Sequence, residues 1–164
     1  MQISPLPDAT ANNWVDAAAP AWAKPYLRLG RFDRPIGAWL LVLPCWMALA
    51  LGRVGMGFGP DELFLAILFA IGSLAMRGAG CAYNDIVDRD LDKKIARTAG
   101  RPVASGQISV KNAWRFTLGL CFIGLLVLLA LPGPAQIAAL FSIPLVAIYP
   151  FMKRITWWPQ VFLG

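Results

Sequence analysis

Residues 63–92 read LFLAILFAIGSLAMRGAGCAYNDIVDRDLD. The first part, Leu63–Tyr83, is apolar or small at nearly every position, with Arg77 as its one cation. About 20 such residues in a helix cross the hydrocarbon of a bilayer. The stretch therefore predicts a transmembrane helix that delivers Asn84, Asp85, Asp88, Asp90 and Asp92 to one membrane face. Three further apolar runs flank it, at about Ile36–Leu51, Trp114–Leu131 and Ala135–Met152, the first a little short. A fifth starts at Val161. Pro44 and Pro144 fall inside these runs, where neighbouring helices can cover the carbonyls that a proline frees. The expected fold is all-α, a multi-pass transmembrane helix bundle with four spans and the start of a fifth.

Composition agrees. The 164 residues are 58% hydrophobic and include no histidine. That excludes a Ser-His-Asp triad, a histidine zinc site and imidazole acid–base chemistry. Cys45, Cys81 and Cys121 lie in apolar stretches without CxxC spacing and read as small buried hydrophobes. The net charge of +6 is distributed for a membrane and not for nucleic acid. Lys24, Arg28, Arg31 and Arg34 precede the first span, and Arg89, Lys93, Lys94, Arg97, Arg101 and Lys111 follow the second. Lys153 and Arg154 follow the fourth, whereas the other connections are poor in positive charge. Basic loops stay on the cytoplasmic side, so the N-terminus and the acidic cluster are expected there. The first thirty residues lack the apolar core of a signal peptide. Residues 1–33 read as a polar cytoplasmic segment, 1–25 of it a mobile lead-in, and 34–164 as the membrane domain.

In a continuing helix, Asp85, Asp88 and Asp92 stand at i, i+3 and i+7, on one stripe about a sixth of a turn wide, while Asp90 points elsewhere. Three like charges on one stripe call for a cation. Carboxylate oxygens suit Mg²⁺, which takes few protein ligands and shares its shell with water and phosphate. An ordinary acidic loop would pair such residues with nearby Arg and Lys. The adjoining span, Asn84, and the arginines at 97 and 101 favour a metal and phosphate site, since charges at membrane depth are costly and usually functional. Arg77 lies 11 residues before Asp88, three turns along nearly the same face. It is expected to face a reaction cavity, with snorkelling to the interface as the alternative.

At these residues the chain resembles the UbiA superfamily of membrane prenyltransferases. Asn84, Asp85, Asp88 and Asp92 match its first motif, NDxxDxxxD, and Arg97–Pro102 with Ser105-Gly106 match RTxxRPxxSG. Tyr149–Lys153 match YxxxK, and Arg34-Pro35-Ile36-Gly37 also fit. RPIG, MRGAGCAYND and YPFMKRxTxxPQ are most similar to the branch that prenylates 4-hydroxybenzoate in ubiquinone biosynthesis. Other branches use homogentisate, dihydroxynaphthoate, haem or chlorophyllide. The resemblance implies Mg²⁺ on Asp85, Asp88 and Asp92, a polyprenyl diphosphate donor, an aromatic acid acceptor and a surrounding of membrane lipid. It implies catalytic roles for those aspartates with Lys153 and Arg154, and substrate contacts from Arg34, Arg77, Asn84, Arg97, Arg101 and Tyr149. Basic residues at a membrane flank otherwise set topology or touch lipid headgroups, and Tyr149 has an interfacial reading shared with Trp157 and Trp158.

The resemblance also implies nine spans and a second aspartate motif beyond residue 164, so this chain alone is expected to be inactive. Two other classes fit less well. An ion transporter would carry its carboxylates near mid-span, and a CDP-alcohol phosphotransferase would begin its aspartate pattern with Asp-Gly.

Overall fold

The computed structural model describes residues 13–34, 36–152, 155, 157 and 158. Among them the chain forms seven helices: α1 (Trp14–Ala18), α2 (Lys24–Leu29), α3 (Ile36–Gly52), α4 (Pro60–Val87), α5 (Arg89–Asp92), α6 (Val110–Leu129) and α7 (Gly133–Met152). No strand occurs among the described residues. The all-α membrane architecture is as the hydropathy pattern dictates. Helices α4, α6 and α7 are each long and apolar enough to cross a bilayer. The 17 residues of α3 extend about 25 Å, short of the roughly 30 Å hydrocarbon layer. The expected fifth helix at Val161 lies outside the described residues.

The chain divides into two compact units, Met1–Gly124 and Leu125–Gly164. In the first, α3 and α4 form an antiparallel hairpin. The Trp46 indole donates to the Ala66 carbonyl at 2.9 Å, and α3 runs unbroken through Pro44. The connection turns on Gly55 and Gly57, both at positive φ (82° and 77°), where glycine has no steric cost. Pro60 stands in the first turn of α4, where its missing N–H would have had no helical partner. Glu62 accepts from the Gly59 N–H at 2.7 Å and pairs with Arg53. Ser109 caps α6 by accepting from the Asn112 N–H.

The buried core lies at the far end of α4. Leu29 of α2, Ala82 and Ile86 of α4, Val103 and Ile108 of the following connection and Ala113 of α6 pack together, flanked by Tyr26 and Phe116. Gly78 lets α4 approach closely. A methyl there would come within 2.8 Å of Leu120 Cδ1 and 3.0 Å of Phe32 Cζ, whereas one at Gly80 would meet nothing.

One expectation is overturned. Residues 13–25 are not a mobile lead-in: they form α1 and the start of α2, held by specific contacts. Asn13 caps α1, accepting from the Asp16 N–H at 2.9 Å. Val15 is fully buried. Asp16 meets Arg28 at 2.6 Å, and the Trp14 indole donates to the Phe32 carbonyl at 2.8 Å. Residues 1–12 lie outside the described residues. In the second unit, α7 runs through Pro144 and Pro150 and buries only the latter, leaving Leu140, Phe141, Ile143, Leu145 and Val146 exposed. A helix apolar on every side suits lipid.

Candidate functional site

Helix α4 ends at Val87, with Asp88 as its cap donating its N–H to the Asn84 carbonyl at 2.9 Å. Helix α5 resumes one residue later, and the Asp92 N–H returns to the Asp88 carbonyl at 2.8 Å. The helix is therefore interrupted within the acidic run, yet Asp85, Asp88 and Asp92 are all buried, at 2%, 6% and 5% exposure. Asp90 faces solvent beside Arg89 and Lys93.

Buried carboxylates need compensation. Arg101 Nη1 bridges two of them, at 3.3 Å from Asp85 Oδ1 and 2.9 Å from Asp92 Oδ2. The run from Arg97 to Gly106 folds so as to hold it there. Thr98 Oγ1 donates to the Asp92 carbonyl at 3.1 Å, and the Arg101 N–H donates to the Thr98 carbonyl. The Ser105 hydroxyl and N–H both donate to the Arg101 carbonyl, and Gly106 turns the chain at φ 79°.

The second guanidinium comes from Arg31, which the sequence had offered only as a topology charge. Its Nη2 lies 3.1 Å from Asp85 Oδ1 and 3.5 Å from Oδ2. Helix α2 closes in a Schellman motif: the Phe32 N–H donates to the Leu27 carbonyl and the Arg31 N–H to the Arg28 carbonyl. Arg31 takes the left-handed position of that motif at φ 58°, as the one described non-glycine residue with positive φ. Glycine usually fills that place. A side chain there costs about 1–2 kcal/mol, and here it aims a cation at Asp85.

Beside this network lies a cavity of about 380 Å³, walled by Trp14, Phe32 and Leu74 and bearing Arg31, Arg34 and Arg77. Its size falls among small-molecule sites, roughly 300–1,000 Å³. Arg34 pairs with buried Asp33 at 3.2 Å. The Arg77 guanidinium lies across Gly37, whose absent Cβ leaves the room. Outside the bilayer segments, burial acts to raise the Asp16 carboxyl. Hydrogen bonds from Arg28 and Asn13 and the charges of Arg28 and Lys24 outweigh it and hold Asp16 below its ordinary value of 3.8.

The structure thus gathers Asn84, Asp85, Asp88, Asp92 and Arg101, and sets Arg34 and Arg77 on the neighbouring cavity. Arg97 is exposed on the loop, outside the ion-pair network. Tyr149 is half-buried on α7 in the other unit. Lys153 and Arg154 lie outside the described residues. Trp14 went unnoticed in the sequence, and Gly37 entered only as part of the matched RPIG block. A signal for Arg31 existed in Gly30-Arg31, a helix stop after a short amphipathic run.

Among the described residues, no group of three or more carboxylate, thiol or imidazole side chains stands in position to hold a metal; the guanidiniums occupy Asp85 and Asp92. The donor set nonetheless fits a hard divalent cation. Its atoms are oxygens, and Asn84 Oδ1 beside it is buried without a hydrogen-bond partner among the described residues. Arg101 Nε is a buried donor without an acceptor among the described residues, the complement expected for an anion.

The UbiA prenyltransferase family matches residues 37–164, and the chain belongs to that family. It is 49% identical over 140 residues to "4-hydroxybenzoate polyprenyltransferase, mitochondrial" of Aedes aegypti, covering 85% of this chain and 31% of that protein. The protein of that name from Bos taurus is 48% identical over 147 residues (90% and 39%), and that from Arabidopsis thaliana 43% over 153 residues (93% and 37%). The chain thus spans between 31% and 39% of the length of these relatives. No solved structure matches it.

Proposed function

We propose that the whole protein transfers a polyprenyl group from a polyprenyl diphosphate to the ring of 4-hydroxybenzoate, in ubiquinone biosynthesis, and that this chain supplies the first half of its diphosphate site. One observation carries the reading. Three buried carboxylates and two guanidiniums close the end of a membrane helix, beside an apolar cavity bearing two further arginines. The family and the names of the relatives point the same way.

Asp85, Asp88 and Asp92, with Asn84, would hold Mg²⁺. When bound, Mg²⁺ supplies charge neutralisation for the diphosphate oxygens. Arg101 and Arg97, with Lys153 and Arg154, stabilise the negative charge that grows as the allylic C–O bond breaks and the diphosphate leaves with the electron pair. By its place in YxxxK, the family resemblance assigns Tyr149 a contact with the donor. An electron-rich ring carbon of the acceptor then forms the new C–C bond and loses its proton. Arg34 and Arg77 are suited to the acceptor's carboxylate, and Phe32 and Leu74 to its ring. The apolar spans accommodate the polyprenyl tail and keep water from the cation. The basic connections support a cytoplasmic orientation for this end of the molecule, in a bacterial inner membrane or its mitochondrial equivalent.

The test is prenylation of 4-hydroxybenzoate by membranes carrying the full-length protein, with and without chelator. Asp85→Asn and Asp88→Asn are each expected to lower turnover by about a hundredfold or more while leaving membrane insertion intact. Ordinary turnover in either variant, or in chelator, removes the metal from the reading. Preference for homogentisate or dihydroxynaphthoate replaces the acceptor.

A further inference from the structure

Arg31 is anchored quite differently from Arg101, although both hold Asp85. Arg101 is tied to two carboxylates, and its backbone is locked by Thr98 and Ser105. Among the described residues, the Arg31 guanidinium has Asp85 and, otherwise, only a 3.4 Å contact to the Arg28 carbonyl. Arg31 also lines the cavity, so its side chain has space to enter on leaving the carboxylate. Both guanidiniums converge on Asp85 Oδ1, and Arg31 also reaches Oδ2 at 3.5 Å, so a divalent cation that binds this carboxylate is repelled by both positive charges. Arg31 is the one with room to withdraw.

We propose that Arg31 is a movable counter-ion that gates Asp85. It occupies the carboxylate until a metal–diphosphate arrives, then passes to the diphosphate oxygens. The proposal rests on the diphosphate-site reading above. Several features support it. A guanidinium presents several N–H donors in a planar fork that fits phosphate as well as carboxylate, so the exchange keeps its hydrogen bonds. It leaves Asp85 free for the metal at the moment when the phosphate's negative charge is present to be neutralised. It also accounts for an arginine where the backbone favours glycine: a side chain at the left-handed position of this motif reaches both Asp85 and the cavity. The consequence is cooperativity. Metal alone must displace Arg31 without offering it a new partner, whereas metal and diphosphate together provide one.

The test uses the full-length protein in detergent, with Arg31→Gly and Arg31→Asn, both of which accept a left-handed backbone. Two affinities are measured by calorimetry: magnesium alone, and geranyl diphosphate in saturating magnesium. Both variants are expected to bind magnesium alone roughly tenfold more tightly and geranyl diphosphate roughly tenfold more weakly, each shift reflecting one charge-assisted contact. Arg31→Lys should recover part of the diphosphate affinity. A purely structural role would weaken both affinities or neither, and either result overturns the proposal while leaving the site reading intact if the wild-type protein binds geranyl diphosphate with magnesium. A wild-type protein that binds neither ligand would overturn both.

Discussion

Gly37 and Arg77 are 40 positions apart in the chain, yet one makes room for the other: the guanidinium crosses α3 at the residue that has no side chain. A methyl group at 37 would collide with the Arg77 head, which is the far end of a flexible side chain and can swing away. Gly37→Ala should therefore leave the helices folded and shift the cation. If Arg77 holds the acceptor's carboxylate, Gly37→Ala is expected to raise the KM for 4-hydroxybenzoate about tenfold, with the KM for the prenyl diphosphate unchanged. Arg77→Ala should do the same more strongly. Steady-state kinetics on both substrates decide the matter, and an unaltered acceptor KM in Arg77→Ala would return that residue to the snorkelling alternative. Arg77 was visible in the sequence because a lone cation within an apolar run must have a destination. Gly37 was visible only as part of a matched motif, since a glycine's use as empty space depends on what fills it. Arg31 was hidden for a related reason: a basic residue at a membrane flank has an ordinary explanation, and its left-handed backbone appears only once the turn is seen.

Among the elements, α4 was the most legible, because a twenty-one-residue stretch that is apolar or small nearly throughout, leading into spaced aspartates, leaves few alternatives. The interruption at Asp88 was not, since the periodicity is nearly the same on either side. The pair α1–α2 was missed altogether. Helices of five and six residues have no stability of their own in water, and what forms them here is contact: the Asn13 cap, buried Val15, the Trp14 hydrogen bond and the Asp16–Arg28 pair. That origin makes α1 sensitive to pH. The Asp16 carboxyl is held below its ordinary 3.8 in the folded chain, so its ionised form stabilises the docked state. A depressed value gives stability that is complete above the unfolded pKa and is lost as pH falls through the folded one. Docking of α1 should therefore be constant from neutral pH down to roughly pH 5 and weaken below the ordinary value of 3.8. The fluorine resonance of 5-fluorotryptophan at position 14, assigned through Trp14→Phe, would report it. Asp16→Asn should abolish the transition, and a resonance that moves between pH 7 and 5 would mean that another group controls docking.

Across the molecule, the described residues supply only part of the chemistry that the family resemblance implies. The acidic cluster, Arg101, Arg34 and Arg77 belong to the first compact unit, whereas Tyr149 belongs to the second, as do Lys153 and Arg154 by position. In the proposed reaction, the leaving diphosphate would concentrate more negative charge than metal held by one acidic cluster can neutralise, and the family resemblance implies a second aspartate motif to hold more. The membrane helices point to the same need. Large apolar side chains such as Leu63, Phe64, Ile67, Leu126 and Phe141 are exposed along α4, α6 and α7, surfaces that lipid or further helices must cover, and small residues mark where helices can approach closely, as Gly78 does toward Leu120. Residues 1–164 expressed alone should therefore insert into membranes, through helices that are apolar enough to do so, and yet form no prenylated 4-hydroxybenzoate. The comparison is with membranes carrying a full-length protein, assayed in parallel with geranyl diphosphate, magnesium and 4-hydroxybenzoate, with product read by mass spectrometry and insertion by resistance to alkaline extraction. Product above the level of empty membranes from the inserted chain would mean that the first acidic cluster suffices to ionise the donor, and that the second cluster serves affinity and not the chemical step.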